Sequence, residues 1–243
     1  MPGDIQGIED EAGLLERKVE ERTAMLAAEK AKSDQLLLNI LPEETAEELK
    51  VHGKARPRRY DNVSVMFTDF KGFTSQSEKL SPENLVKSID FYFSKFDEIV
   101  QKHGLEKIKT IGDAYMCAGG LPFPIEDQTA KVCQAALEIA EFVKQTKRSI
   151  NHDLARFDIR IGMHSGPVVA GVVGTQKFQY DIWGDTVNTA SRMESSGEIG
   201  KVNISEDCYQ QLKNYDVFTF EHRGAIKAKG KGMVDMYFVD YIA

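Results

Sequence analysis

The chain has 243 residues, 42% hydrophobic and 28% charged, with a formal net charge of -7. That is enough for one large soluble domain and an accessory segment, and the acidic balance excludes a protein held on nucleic acid through backbone phosphates. No apolar run approaches the roughly 18–20 residues of a membrane span, and no secretory signal precedes the acidic N-terminus.

Residues 1 to about 50 lack aromatic side chains and are rich in Glu, Lys, Ala and Leu. Leu15, Val19, Leu26, Leu36 and Ile40 fall on one seam of 4-3 spacing, with Arg22, Glu29 and Ser33 at the intervening positions. The pattern predicts a helix with coiled-coil tendency and a weakened middle. It reads as a parallel dimer stalk; one amphipathic helix docked on its own domain is the alternative. Leu41-Pro42 ends this helix, because the residue before proline avoids helical geometry. Pro42 also opens a short helix, PEETAEELK, with acids near its positive end. VHGKARPRRYDN then reads as a basic loop.

From Val63 the pattern turns α/β. Val63 to Phe67 predicts a strand, and Glu83 to Val100 a helix with Leu85, Ile89, Phe93, Phe96 and Val100 at helical spacing. Leu105–Ile111 and Ala114–Ala118 predict a hairpin turning at Gly112-Asp113. Thr129–Val143 predicts a second helix and Phe157–Met163 a strand, followed by the glycine-rich, apolar HSGPVVAGVVG. The order β-α-β-β-α-β is the ferredoxin-like, or palm, arrangement of an α+β fold. A loop and helix (Asp185–Ser195), a strand (Val202–Ile204), a helix (Glu206–Leu212) and a β-pair (Val217–Phe220, Met236–Tyr241) add a C-terminal αβαββ extension. Cys117, Cys133 and Cys208 lie far apart, which suits buried thiols in a reducing cytoplasm and no disulfide framework.

Asp69 ends the first strand and Asp113 sits at the hairpin tip, which a palm fold makes neighbours. Two carboxylates there can hold two divalent cations for in-line attack at phosphorus, and all-oxygen ligands with a triphosphate favour magnesium. The plain alternative is a strand-end cap and a turn former. Gly72-Phe73-Thr74 follows at a strand-to-helix turn, where a glycine backbone and free N–H groups can approach an anion. Lys109 donates only and an ionised Asp181 accepts only, so the pair complements adenine, with its N1 acceptor and N6 donors, and opposes guanine. A surface ion pair is the alternative. Asn188 and Arg192, four apart on one helix, share a face from which arginine could stabilise charge on a reacting phosphate. Arg160 in mid-strand faces either solvent or an anion. Lys229 and Lys231 lie on a glycine-flexed loop suited to a terminal phosphate or to plain solubility.

The segments FTDFKGFT, KIKTIGDAYM, IRIGMHSG, QYDIWGDTVNTASRM and KAKGKG resemble, in order, the class III nucleotidyl cyclase catalytic domain, from about Arg58 to Tyr241. The resemblance implies that Asp69 and Asp113, with the Phe70 carbonyl, bind two Mg²⁺ or Mn²⁺ ions. It implies that the backbone of Gly72, Phe73 and Thr74, with Arg160 and Lys229, holds the triphosphate. Lys109 and Asp181, with the Ile182 backbone nearby, fall on purine-selecting positions, and Asn188 and Arg192 on transition-state positions. Guanylate cyclases of the family carry Glu and Cys at the two selecting positions; this chain matches the adenylate form. Family sites lie between two domains in head-to-tail contact, and this chain carries both halves, which implies a homodimer with two equivalent sites.

The expectation is therefore an adenylate cyclase converting ATP to 3′,5′-cyclic AMP and pyrophosphate. Residues 1–50 would form stalk and linker, and residues 58–243 the catalytic domain. Leu36 to Lys50 resembles the linker to an upstream sensor, which implies a cytoplasmic output module of a larger protein whose membrane attachment is left open. Guanylate cyclase, a diguanylate-cyclase or polymerase-like palm, and an inactive signalling dimer module remain the alternatives.

Overall fold

The computed structural model describes residues 3–148 and 154–242, with side chains from Ala12 onward. Two units divide the chain: residues up to Ala55 with Gly174–Gln179, and Arg56–Val173 with Tyr180–Ala243. The first unit holds helix α1 (Gly3–Leu38) and helix α2 (Glu43–His52). Leu15, Val19, Leu26, Leu36 and Ile40 of the seam are all exposed. Helix α2 ends on Gly53, whose left-handed backbone (φ 67°) lets its N–H donate to the Leu49 carbonyl, the usual glycine stop. Lys50 reaches Asp34 at 2.9 Å and Glu47 at 2.8 Å.

The second unit runs β1 (Arg58–Lys71), α3 (Phe73–Ser77), α4 (Pro82–Lys102), β2 (Glu106–Ile111), β3 (Ala114–Gly119), α5 (Gln128–Arg148), β4 (Asp158–Val173), β5 (Gln179–Trp183), α6 (Asp185–Ser195), β6 (Val202–Ser205), α7 (Glu206–Leu212), β7 (Phe218–Ala228) and β8 (Gly232–Tyr241). The sheet order is β2-β3-β1-β4-β6-β8-β7, with β5 on β4. Strands β2-β3-β1-β4 pair antiparallel throughout, which is the ferredoxin-like core, and α6-β6-α7-β7-β8 is the expected extension. Cys117, Cys133 and Cys208 are free and buried. Among the described residues no helix is long and apolar enough to cross a membrane.

Several segments differ from the sequence reading. Gln179–Trp183 is an additional strand, and the C-terminal pair is longer than Val217–Phe220 and Met236–Tyr241, with β7 running on to Ala228 and β8 starting at Gly232. Strand β1 begins at Arg58, inside the expected basic loop, because Arg58–Tyr60 pair with Val168–Ala170; ladder hydrogen bonds outweigh polar composition there. The same pairing carries β4 into the glycine-rich stretch as far as Ala170, and the strand runs on to Val173.

One face of the sheet holds the main core. Ile99, Val100, Val132, Ile139, Ile161, Met163, Cys208 and Leu212 pack together there. An aromatic cluster adds Phe70, Tyr92, Phe93, Phe96 and Phe157; Phe70 stacks on Phe157 at a centroid distance of 4.6 Å. Burying a Phe side chain contributes about 1.5–3 kcal/mol. That is enough to fix which way the end of β1 faces. With Phe70 toward the helices, strand alternation sends Asp69 to the opposite face.

Candidate functional site

Asp69 lies opposite Ala114 on β3 and opposite Arg160 on β4. Residues directly opposite share a face, so Arg160 Nη2 donates to Asp69 Oδ2 at 3.0 Å. Asp113 stands beside Ala114, in the tight turn that joins Ile111 to Ala114, where Gly112 supplies φ 62°. Its carboxyl pKa is raised by burial first and then by the Asp69 charge, against the pull of the Phe70 N–H, which donates to it. A dication would relieve the cost of ionising Asp113 beside the Asp69 charge. Among the described residues no cluster of three or more His, Cys, Asp or Glu could hold a metal unaided. Asp69 and Asp113 are hard oxygen donors, and a cation held there would have to take its remaining oxygens from backbone, water or a polyphosphate. Gly72 follows in the left-handed region (φ 75°) and opens α3, with Thr74 exposed.

Arg160 also lies 3.0 Å from Glu194 Oε1 on α6. Burial pushes the Glu194 carboxyl up to about 7, over the opposing attraction of Arg160 and with added repulsion from Asp69 and Asp113. Helix α6 reaches this position because Gly162 has no side chain. A Cβ there would stand 1.8 Å from the Glu194 nitrogen. Thr186 Oγ1 donates to the Pro167 carbonyl at 2.7 Å and Asn203 Nδ2 to the Met193 carbonyl at 2.8 Å. These contacts clamp both ends of α6 to the sheet. Its outward face carries Asn188, exposed, and Arg192, partly exposed. Among the described residues neither side chain has a hydrogen bond or ion pair.

Lys109 and Asp181 form an ion pair, with side chains 27% and 8% exposed. Asp181 Oδ1 also accepts the Ile182 N–H at 2.9 Å. Simple alternation would place Lys107 and Lys109 on one face. The register instead slips between them: Lys107 lies opposite Cys117, and Lys109 opposite Met116. Cys117 belongs to the helix-covered core, and Lys107 accordingly reaches Asp97 of α4 at 2.8 Å. The bulge turns Lys109 to the other face, the one that carries Asp69 and Arg160. Glu106, opposite Ala118, shares that face; burial alone pushes its carboxyl up to about 7. The neighbouring Tyr180 hydroxyl is buried without a partner among the described residues.

Lys229 sits exposed in the β7–β8 turn, and among the described residues its amine has no partner. Lys231, two residues on, pairs with Asp185 at the start of α6. The expected site residues thus fall into two groups: Asp69, Asp113 and Arg160 with the Phe70 backbone, and Lys109 with Asp181 and the Ile182 backbone. Asn188, Arg192 and Lys229 stand separately. Among the described residues no hydrogen bond or ion pair joins Asp69, Asp113 or Arg160 to Lys109, Asp181, Asn188, Arg192 or Lys229. Glu194, Gly162, Glu106 and the Asp185–Lys231 contact escaped the sequence reading. Only a glycine in mid-strand, beside a motif helix, hinted at the first two.

A family model described as "Adenylate and Guanylate cyclase catalytic domain" matches residues 55–241. An adenylate cyclase of Mycobacterium tuberculosis is 41% identical over 222 residues, 89% of this chain and 48% of that protein. Receptor-type guanylate cyclase gcy-13 of Caenorhabditis elegans is 40% identical over 235 residues, 96% of this chain and 23% of that protein. The guanylate cyclase domain of RhGC from Catenaria anguillulae, solved in complex with GTP, aligns with a TM-score of 0.71 and 34% identity, over 76% of this chain and 100% of that one. The chain spans about half or less of the length of these curated relatives, and both purine preferences occur among them.

Proposed function

The chain belongs to the adenylate and guanylate cyclase catalytic-domain family, and from that premise we propose that it cyclises ATP to 3′,5′-cyclic AMP, releasing pyrophosphate. The observation that carries this choice of purine is the Lys109–Asp181 pair. Adenine offers an acceptor at N1 and donors at N6, which a lysine and a carboxylate satisfy. Guanine reverses both, and a site that must leave buried polar groups unpaired rejects such a ligand strongly. On binding, adenine would insert between two groups that already face one another.

The active unit is a homodimer in this reading. One copy contributes Asp69, Asp113, Phe70 and Arg160, with the backbone of Gly72, Phe73 and Thr74 along the phosphates. The other contributes Lys109, Asp181, Ile182, Asn188, Arg192 and Lys229. That no hydrogen bond or ion pair joins the two groups among the described residues supports assembly across two copies. Arg192 and Asn188, whose side chains have no hydrogen bond or ion pair among the described residues, are free to meet charge that grows on the α-phosphorus and on the ribose oxygen. Two Mg²⁺ or Mn²⁺ ions on Asp69, Asp113 and the Phe70 carbonyl would supply an acidified 3′ hydroxyl and a neutralised leaving group. Arg160 and Lys229 would hold the β- and γ-phosphates so that the 3′ oxygen lies in line with the bond that breaks.

Residues 1–50 are proposed as the stalk and linker of a cytoplasmic output module, and residues 58–243 as the catalytic domain. The exposed 4-3 seam of α1 and the share of its relatives that the chain spans support this. Incubating purified chain with ATP or GTP and Mg²⁺ or Mn²⁺, and identifying the product, tests the reading. Cyclic AMP from ATP in excess over cyclic GTP is expected; a preference for GTP would reassign the purine, and no cyclic product would leave the inactive-module alternative.

A further inference from the structure

We infer that Asp185 and Lys231 are positioning residues: their ion pair latches the β7–β8 turn to the start of α6 and thereby sets the reach of Lys229. This rests on the reading of Lys229 as a phosphate ligand given above. The turn is short and built to pivot. Ala228 lies opposite Gly232, the Lys231 N–H donates to the Ala228 carbonyl at 3.0 Å, and Gly230 and Gly232 have φ of 75° and 77°. Its base is fixed, because Ala228 is buried with Met193 of α6 and Met236 of β8. Its tip carries two lysines with different fates. Lys231 pairs with Asp185 and its side chain is 19% exposed, while Lys229 stays exposed without a partner among the described residues.

Asp185 and the free pair Asn188 and Arg192 lie on the same helix. The latch therefore ties the phosphate-reaching lysine to the element that presents the arginine, so that the two approach one substrate together. The Asp185 side chain is 80% exposed, and an ion pair that wet adds little to folding. Its effect falls on where a glycine-flexed turn dwells. His164 on β4 feels both charges of the pair, and burial holds its pKa below the ordinary histidine value. His164 Nδ1 lies 2.7 Å from Ser205 Oγ and 3.8 Å from Asp207 Oδ2, so its nearest polar partner is Ser205 rather than Asp185.

The test uses Asp185→Asn, Lys231→Met, their double variant, Lys231→Arg, Lys229→Ala, and Asp185→Asn combined with Lys229→Ala. It is run on the full chain with whichever triphosphate the parent cyclises. Each single latch variant is expected to raise KM and the pyrophosphate inhibition constant by about fivefold, with kcat nearly unchanged, a size an exposed ion pair can carry. The double variant should be no worse than either single, Lys231→Arg should keep parental values, and Asp185→Asn should add nothing once Lys229 is Ala. If Lys229→Ala raises both constants while Asp185→Asn and Lys231→Met leave them alone, the latch is wrong and the phosphate role stands. If Lys229→Ala changes neither constant, the phosphate role fails and takes the latch with it. A full additional loss from Asp185→Asn in the Lys229→Ala background would also overturn the inference, since Asp185 would then act without Lys229.

Discussion

Lys109 and Asp181, 72 positions apart in the chain, meet as an ion pair because a bulge in β2 turns Lys109 away from Asp97 and onto the open face of the sheet. Lys107, two residues earlier, stays on the helix side with Asp97. One slipped residue thus separates a structural lysine from one proposed to read a purine. Replacing Lys109→Glu and Asp181→Cys together is expected to reverse the preference, with kcat/KM for GTP exceeding that for ATP. An active double variant that still prefers ATP would remove the pair from purine selection.

Arg192 has no ionic partner to lose among the described residues, so Arg192→Ala should leave the fold and the association state as they are. Turnover should fall by roughly 10²–10³-fold if the guanidinium meets charge only in the transition state. Steady-state kinetics beside sedimentation of the variant checks both halves; turnover within a few fold of the parent refutes the role.

Glu106 gives a stability prediction with a definite sign. Burial raises its pKa from 4.5 to about 7 in the folded chain. The folded state then holds its proton more tightly than the unfolded state, so its contribution is present at low pH and is lost as pH climbs through about 4.5 to 7. Glu106→Gln cannot ionise. Thermal unfolding measured from about pH 5 to about pH 8 should show the melting-temperature difference moving in the variant's favour as pH rises. A difference that stays flat would mean that Glu106 is not buried as described.

Gly162 sets how closely α6 lies on β4. Gly162→Ala places a methyl group 1.8 Å from the Glu194 nitrogen and 2.3 Å from the Met193 carbonyl carbon, and backbone cannot step aside as a side chain can. Overpacking of this kind costs about 1–3 kcal/mol or more. Chemical denaturation should detect that loss, and turnover should drop with it because Asn188 and Arg192 ride on the displaced helix. Unchanged stability would mean that α6 docks differently.

Much of this was legible in the sequence. Helical spacing marked Pro82–Lys102 and Gln128–Arg148 to within a few residues, and Gly112-Asp113 marked the hairpin tip. Asp69 and Asp113 were predicted neighbours on fold order alone. Sheet pairing was harder to read. Arg58–Asn62 has no strand pattern and is ordered by its partner strand, and the glycine-rich stretch after Met163, where the expected strand ended, continues β4 to Val173. Gly166, for instance, stands where a Cβ would lie 2.6 Å from Thr186 Oγ1. Contacts between distant segments, such as Arg160 with Glu194 or Lys231 with Asp185, have no local signature, because each arises only when α6 docks.

Mixing Asp69→Ala chains with Arg192→Ala chains tests the central claim, a site assembled from two copies, most directly. Each variant alone spoils both of its sites. Random re-pairing makes half the dimers mixed, each with one site intact and one doubly damaged, so activity should recover to about a quarter of the parent's. A mixture that exchanges subunits and yet stays as inactive as its parents would contradict the account.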